Sequence, residues 1–365
     1  MWKNIVIFSI LVGLVGVAGW VYVNRPKPEL ETKFVQNVRR AVEEAVIPDV
    51  PLISPGESAL VDNSYHVYQT FNNCGPATLS MLLNWYAVKV SQDELGDQMR
   101  PYQVASGDND DKTIFTYEFV DWAERYGLEA VERKNGDIEL LKRFTTNGIP
   151  VVVKTWLHPG EDIGHFRIVR GFDEGSKVII QDDSYEGPNK KISYFDFLEM
   201  WQPFNYDYII VYRKGSEEKV KAILGEEWDE QISWQNTLKR ATKENELDPN
   251  NIYPNFNISV ASYHLGDFEK STKAFAEVET RLPRRMLWYQ LEPILAYQKL
   301  GNYDRVFEII QRILDGGNRA FSELYMIRGE IYLEKGERDK ARQEFELALL
   351  YNKNLKSAQD ALESL

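Results

Sequence analysis

The sequence is poor in the residues that staple or metallate a small domain. Cys74 is the only cysteine in 365 residues, so no internal disulfide can form. The four histidines, His66, His158, His165 and His264, are scattered and build no Cys/His cluster with zinc spacing. No metal or other cofactor is therefore expected. Positive charge is outnumbered, 43 Lys and Arg against 56 Asp and Glu, a formal balance of −13 spread along the chain. Nothing in that distribution would match phosphate charge, which argues against a nucleic-acid partner. Hydrophobic residues make up 43% and aromatics 13%, ample for packed cores and unlike a disordered chain. The length predicts two or three domains.

An uncharged, nearly all-apolar run covers residues 5–23, and as a helix it would span about 28 Å, roughly one hydrocarbon core. Lys3 precedes it, and Arg25, Pro26, Lys27 and Pro28 follow. Residues 1–24 are read as an uncleaved single-pass anchor. The alternative is an export signal cut near the small residues Val17-Ala18-Gly19. Basic residues just after the span (25, 27, 33, 39 and 40) would hold the bulk inside, whereas the short N-terminus with one lysine has the form of an export signal. The bulk is placed outside the cytoplasm, in a protein targeted to a membrane either way. Residues 25–60 read as a linker with an amphipathic helix over 31–46, broken by Pro48, Pro51 and Pro55.

Gln69-Thr70-Phe71-Asn72-Asn73-Cys74-Gly75-Pro76-Ala77 leads into a helical run to Tyr86, with apolar residues at 79, 82, 83 and 86 on one face. Pro76 suits a first turn. Cys74 thus stands at the helix N-terminus, where unpaired N–H groups and the positive dipole end favour a thiolate. Gln69 can turn its side-chain amide to the same point. A lone cysteine is also often a small buried hydrophobe.

Ser91 with Glu94 has the spacing of a capping box. Residues 107–111 read as a solvated acidic turn, lacking the oxygen spacing of a calcium loop. Helices follow at 113–126, ended by Gly127, and at 138–145, ended by Asn147-Gly148. The period then changes. Strands are predicted at 149–156, 166–171, 178–182 and 208–213, which makes an α+β layout over residues 61–215. His165 heads the second of these strands, and Asp182-Asp183 ends the third.

Residues 216–365 read as helical throughout. Gly266, Gly301 and Gly336 recur at 35-residue spacing in similar Tyr-rich contexts, and Pro249 and Pro283 mark repeat ends. Residues 216–248 are predicted to be one connecting and capping helix, and residues 249–365 a solenoid.

The Gln69…Cys74-Gly75-Pro76-Ala77 frame, Gly164-His165-Phe166 and Asp183-Ser184-Tyr185-Glu186-Gly187 together resemble the papain-like cysteine peptidases. The closest likeness is to the stand-alone relatives of the bacteriocin-processing peptidases that cut after a double glycine. The resemblance implies a papain-like fold with Cys74 as nucleophile, His165 as general base and Asp183 as its orienting acid. Gln69 would form the oxyanion hole with the Cys74 N–H. Ser184 stands where that family usually has proline, which leaves Asp182 as an alternative to Asp183, and the Gln–Cys spacer is one residue shorter than usual. His66 and His158 remain rival bases. The glycine-marked units resemble tetratricopeptide repeats. Gly329, Tyr332, Ala341, Phe345 and Ala348 keep that pattern in the third unit, while Ser271 and Val306 depart from it in the first two.

The expected function is a membrane-targeted cysteine peptidase acting on a peptide or protein substrate, with the repeats recruiting substrate or a protein partner. No ATP-binding P-loop is present, unlike in the transporter-fused members. The alternative is an inactive papain-like peptide-binding module on a repeat scaffold.

Overall fold

The computed structural model describes residues 50–63, 65–102 and 114–365. The apolar run of 5–23, the helix expected at 31–46 and the acidic loop at 107–111 lie outside the described residues. Among the described residues, no helix is long and apolar enough to cross a membrane.

The chain enters through β1 (Ser58–Leu60) and the helices α1 (Cys74–Trp85), α2 (Gln92–Met99) and α3 (Thr116–Arg125). There follow β2 (Glu129–Arg133), α4 (Ile138–Thr146), β3 (Val151–Trp156), β4 (Gly164–Asp173) and β5 (Val178–Asp183). β6 (Gly187–Ser193), α5 (Tyr194–Trp201) and β7 (Tyr208–Tyr212) complete this half. The strands form one antiparallel sheet in the order β2-β7-β3-β4-β5-β6, with β1 paired to the far end of β4.

Successive strand side chains point to opposite faces. Val152, Ile168 and Ile209 pack on one face with Leu79, Leu82 and Phe119 of α1 and α3. Val151, Val153 and Ile210 pack on the other with Leu141, Phe144 and Trp201 of α4 and α5. Both faces are covered, so α1 is held by a sheet that is itself buried. Truncating a fully buried leucine such as Leu79 or Leu83 to alanine would cost about 2–5 kcal/mol. The Ser91 cap is made, its hydroxyl accepting the Glu94 N–H at 3.1 Å.

Three sequence expectations need correction. The linker does not extend to residue 60, because β1 is already in the sheet and Asn147 brackets Ile53 with bonds of 3.0 and 2.9 Å. β1, β2, β6 and α5 were not predicted. β6 is an exposed edge strand with Pro188, and β2 turns only Val131 fully inward, so neither shows a clear apolar period. The capping helix is not continuous: α6 (Glu217–Leu224) stops at Gly225, which has φ +62°, and α7 (Glu230–Leu247) restarts with Asp229 capping the Ile232 N–H at 2.9 Å.

The remainder is helical. α8 (Ile252–His264) pairs with α9 (Phe268–Val278), and a short α10 (Met286–Tyr289) leads to the pair α11 (Glu292–Lys299) and α12 (Tyr303–Asp315). The pair α13 (Ser322–Glu334) and α14 (Arg338–Tyr351) and a final α15 (Lys356–Ser364) complete the array. Gly266, Gly301 and Gly336 sit in the inter-helix turns at φ +80°, +70° and +75°, a region that disfavours any side chain. The first two units absorb their departures from the alanine pattern. Ser271 bonds Ser259 across the helix pair at 3.2 Å, and Val306 is fully buried. Trp156, Phe115 and Phe204 of the α+β half share one apolar core with the repeats.

Candidate active site

Cys74 is the first residue of α1 and is partly exposed. The preceding Asn73 does not cap the helix with its side chain. Its amide donates to Thr70 Oγ1 at 2.7 Å, and its Oδ1 accepts from Arg100 Nη1 at 2.7 Å. Arg100, at the end of α2, also bonds the carbonyl of Asn72, so a buried guanidinium ties down the loop that carries the cysteine. The first N–H groups of α1 have no acceptor within the helix.

Across the cleft, β4 begins at Gly164-His165. His165 Nε2 bonds Asp183 Oδ1 at 2.9 Å, which leaves Nδ1 as the ring nitrogen for the Cys74 thiol. Asp183 is fully buried and heavily engaged. Its Oδ1 also accepts the N–H groups of Tyr185 and Glu186 at 2.7 and 3.0 Å, and its Oδ2 lies 2.8 Å from Arg167 Nε.

These contacts set the charges. Burial pushes the Cys74 thiol up, but the hydrogen bond and charge of His165, the Phe166 backbone bond and the Arg100 charge bring it below its ordinary value. Burial pulls His165 down, and its bonds to Asp183 and Cys74 more than offset this, leaving it raised. Burial raises Asp183, yet His165 and Arg167 hold it far below the usual carboxylate range. The shifts agree in direction: proton on the imidazole, charge on sulfur and carboxylate.

The adjacent Asp182 is placed differently. It meets Arg170 Nε at 2.8 Å, Asn63 at 3.1 Å and the Asn189 N–H at 3.0 Å, with no histidine among these partners. Of the rival bases, His66 bonds the Asp183 carbonyl at 2.9 Å, and the exposed His158 sits between Glu186 and Glu161. His264 stacks on Trp234 with centroids 3.9 Å apart.

Gln69 faces the same cleft as Cys74 and His165, a cavity of about 320 Å³. Its Oε1 accepts from Ser184 Oγ at 2.9 Å, and its own N–H bonds the Ser184 carbonyl at 2.8 Å. With the carbonyl end so held, the amide NH2 is the end left for another partner. Among the described residues no group of three His, Cys, Asp or Glu is arranged to hold a metal ion.

Several cleft residues escape sequence reading. Arg285, Trp288 and Tyr289 come from the repeat region yet line the cleft. A Cβ added to Gly164 would stand 2.7 Å from the Tyr289 ring, so glycine is needed beside His165. Arg100, Arg167 and Ser184 carry no motif; Ser184 is visible in the sequence only as a departure from proline.

Residues 57–209 match the family model described as Peptidase_C39 like family, and residues 322–355 match the tetratricopeptide repeat model. No curated protein matches the chain. Among solved structures it is similar to a double glycine motif protease from an AMS/PCAT transporter in complex with the leader peptide. That match has 19% identity and a TM-score of 0.32, covering 44% of this chain and 99% of that one. The peptidase domain of Streptococcus ComA, a bifunctional ABC transporter, matches at 20% identity and TM-score 0.31, over 40% of this chain and 97% of that one. MamA matches at 14% identity and TM-score 0.33, over 41% of this chain and 80% of that one. Over residues 57–209 the chain is similar to the Peptidase_C39-like family, and over residues 322–355 to the tetratricopeptide repeat.

Proposed function

We propose that the chain is a cysteine peptidase that hydrolyses peptide bonds through Cys74, His165 and Asp183. The observation that carries the reading is the bond of His165 to the buried Asp183 carboxylate in the cleft that also holds Cys74, with shifts that favour the thiolate–imidazolium pair. Cys74 Sγ attacks the scissile carbonyl carbon, and the oxygen that becomes negative takes N–H bonds from Cys74 and from the Gln69 amide. His165 then gives its proton to the leaving amine as the tetrahedral intermediate collapses to a thioester. The neutral imidazole next takes a proton from water, whose oxygen attacks the thioester and frees Cys74. Asp183 fixes the ring orientation throughout. The repeats would hold the substrate or a protein partner, and the apolar run of 5–23 would bring the protein to a membrane with its bulk on the outer side.

The test is the rate of Cys74 alkylation by iodoacetamide against pH. A rate that half-rises well below pH ~8.5 in the folded protein, with the shift lost in His165→Ala, is expected. A thiol that reacts only above about pH 8.5 in the folded state would end the peptidase reading. Cys74→Ala should abolish turnover and leave the melting transition nearly unchanged.

A further inference from the structure

Beneath the catalytic cleft lies a larger chamber of about 860 Å³, walled by α3 and β2 on one side and by α8, α11 and α13 on the other. Lys154 and Tyr289 belong to the walls of both cavities. Lys154 is buried, bonds the Ile114 carbonyl at 2.8 Å, and lies 5.1 Å from the ring centroids of both Phe166 and Tyr289.

The chamber's charges are unbalanced. Its cations are already engaged within the protein: Lys134 pairs with Glu132 and, at 2.9 Å, with Asp207, while Arg133 bonds the Glu227 carbonyl at 2.9 Å. Its carboxylates are in excess. Asp121, Glu230 and Glu330 line it with exposed side chains, and none of them has a cationic partner among the described ion pairs. Deeper in, Asp207, whose Oδ2 pairs with Lys134, is only 3% exposed and keeps an Oδ1 without a hydrogen-bond partner, and burial pushes its carboxyl up to about 7. Aromatic faces accompany the charge. Tyr117 lines the chamber with 52% of its surface exposed, its ring stacked on one face by Phe115. Carboxylates beside open aromatic faces suit ammonium and guanidinium groups on aliphatic stems.

We propose that this chamber is an exosite for a lysine- or arginine-bearing stretch of peptide, continuous with the segment whose bond is presented to Cys74. The proposal rests on the peptidase reading for the continuity alone. The chamber's preference for a cationic peptide stands on its own lining.

The test is fluorescence anisotropy with the full-length Cys74→Ala protein, which cannot cleave, and a labelled peptide of alternating Lys and Ala. A peptide of alternating Glu and Ala is the control. The expected result is binding of the Lys peptide at least about tenfold tighter than the Glu peptide, weakening as salt is raised. The combined Asp121→Asn, Glu230→Gln and Glu330→Gln variant removes only exposed charge and should weaken it about tenfold more. Neutralising Glu57, Glu139 and Glu217, exposed carboxylates beside β1, on α4 and on α6, none of which lines the chamber, should leave it unchanged. Equal binding of both peptides, binding of neither, or equal losses in the two triple variants would each overturn the exosite. If binding fails while the thiol titrates low, the peptidase reading stands without it. If the peptide binds as expected while the thiol is inert, the chamber stands and the peptidase reading falls.

Discussion

At the end of β5 the two faces of one sheet can be compared atom for atom. Asp182 and Asp183 are adjacent, both essentially buried, and each is paired with an arginine of β4 at 2.8 Å. Asp183 stands opposite Arg167 in register and shares its side of the strand with His165. Asp182 faces the other way, where a bulge at Arg170 brings that guanidinium to it and Asn63 and Asn189 complete its shell. Burial and an arginine partner are thus common to both and distinguish nothing. What differs is a titrating neighbour: one carboxylate hydrogen-bonds an imidazole, and the other meets only an arginine, an asparagine side chain and a backbone N–H.

The sharpest way to break this comparison is to remove each charge in turn. Asp183→Asn should lower turnover on the order of 10³-fold or more, since the ring loses its orienting anion. The half-rise of Cys74 alkylation should move to higher pH in the same variant. Asp182→Asn should leave that titration where it is and act on stability instead, costing about 3–5 kcal/mol because Arg170 would be buried without its partner. A shifted thiol titration in Asp182→Asn, measured beside an unshifted one in Asp183→Asn, would reverse the assignment.

Acid should test Asp183 more gently. The folded-state Asp183 carboxyl is depressed, so its contribution to stability is fully present above the unfolded value of about 3.9 and is lost as pH falls towards the folded one. Urea unfolding of the wild type and of Asp183→Asn between pH 7 and 3 should therefore show a stability gap that narrows on acidification. A gap that stays constant would mean that the Asp183 carboxyl is not held low. His165 has the opposite sign. Its raised value means a contribution present below the unfolded pKa of about 6.5 and lost as pH rises through the folded one.

Much of this arrangement was legible in the chain because it rests on local rules. An apolar period placed α1, β-branched runs placed β3, β4 and β5, and glycine spacing placed the repeat turns at positive φ. The choice of Cys74, His165 and Asp183 came from the resemblance to the papain-like peptidases, and the ends of those elements are where the three residues lie. What escaped was carried by contacts between distant segments. β6 is an edge strand without an apolar face, and no sequence rule brings Tyr289 to Gly164 across 124 intervening positions. The choice between Asp182 and Asp183 depended on which face each side chain takes, so a one-residue uncertainty in register covered the whole difference.

Ser184 gives the smallest expected effect and the finest test of how the cleft is built. It follows Asp183 directly, so the turn that lifts the carboxylate to His165 also delivers a hydroxyl to Gln69 Oε1 at 2.9 Å. If that bond serves to turn the Gln69 amide NH2 into the cleft, Ser184→Ala should lower turnover about 2–10-fold, the worth of one neutral hydrogen bond. KM, the Cys74 titration and the melting transition should barely move, because neither the thiol pair nor the core is touched. Ser184→Thr, which keeps the hydroxyl, should recover most of the rate. A loss in Ser184→Ala that Thr does not rescue, or that appears equally in the alkylation profile, would place the serine in support of the Asp183 turn instead. Gln69→Ala then bounds the effect from above, since removing the amide must cost at least as much as loosening it.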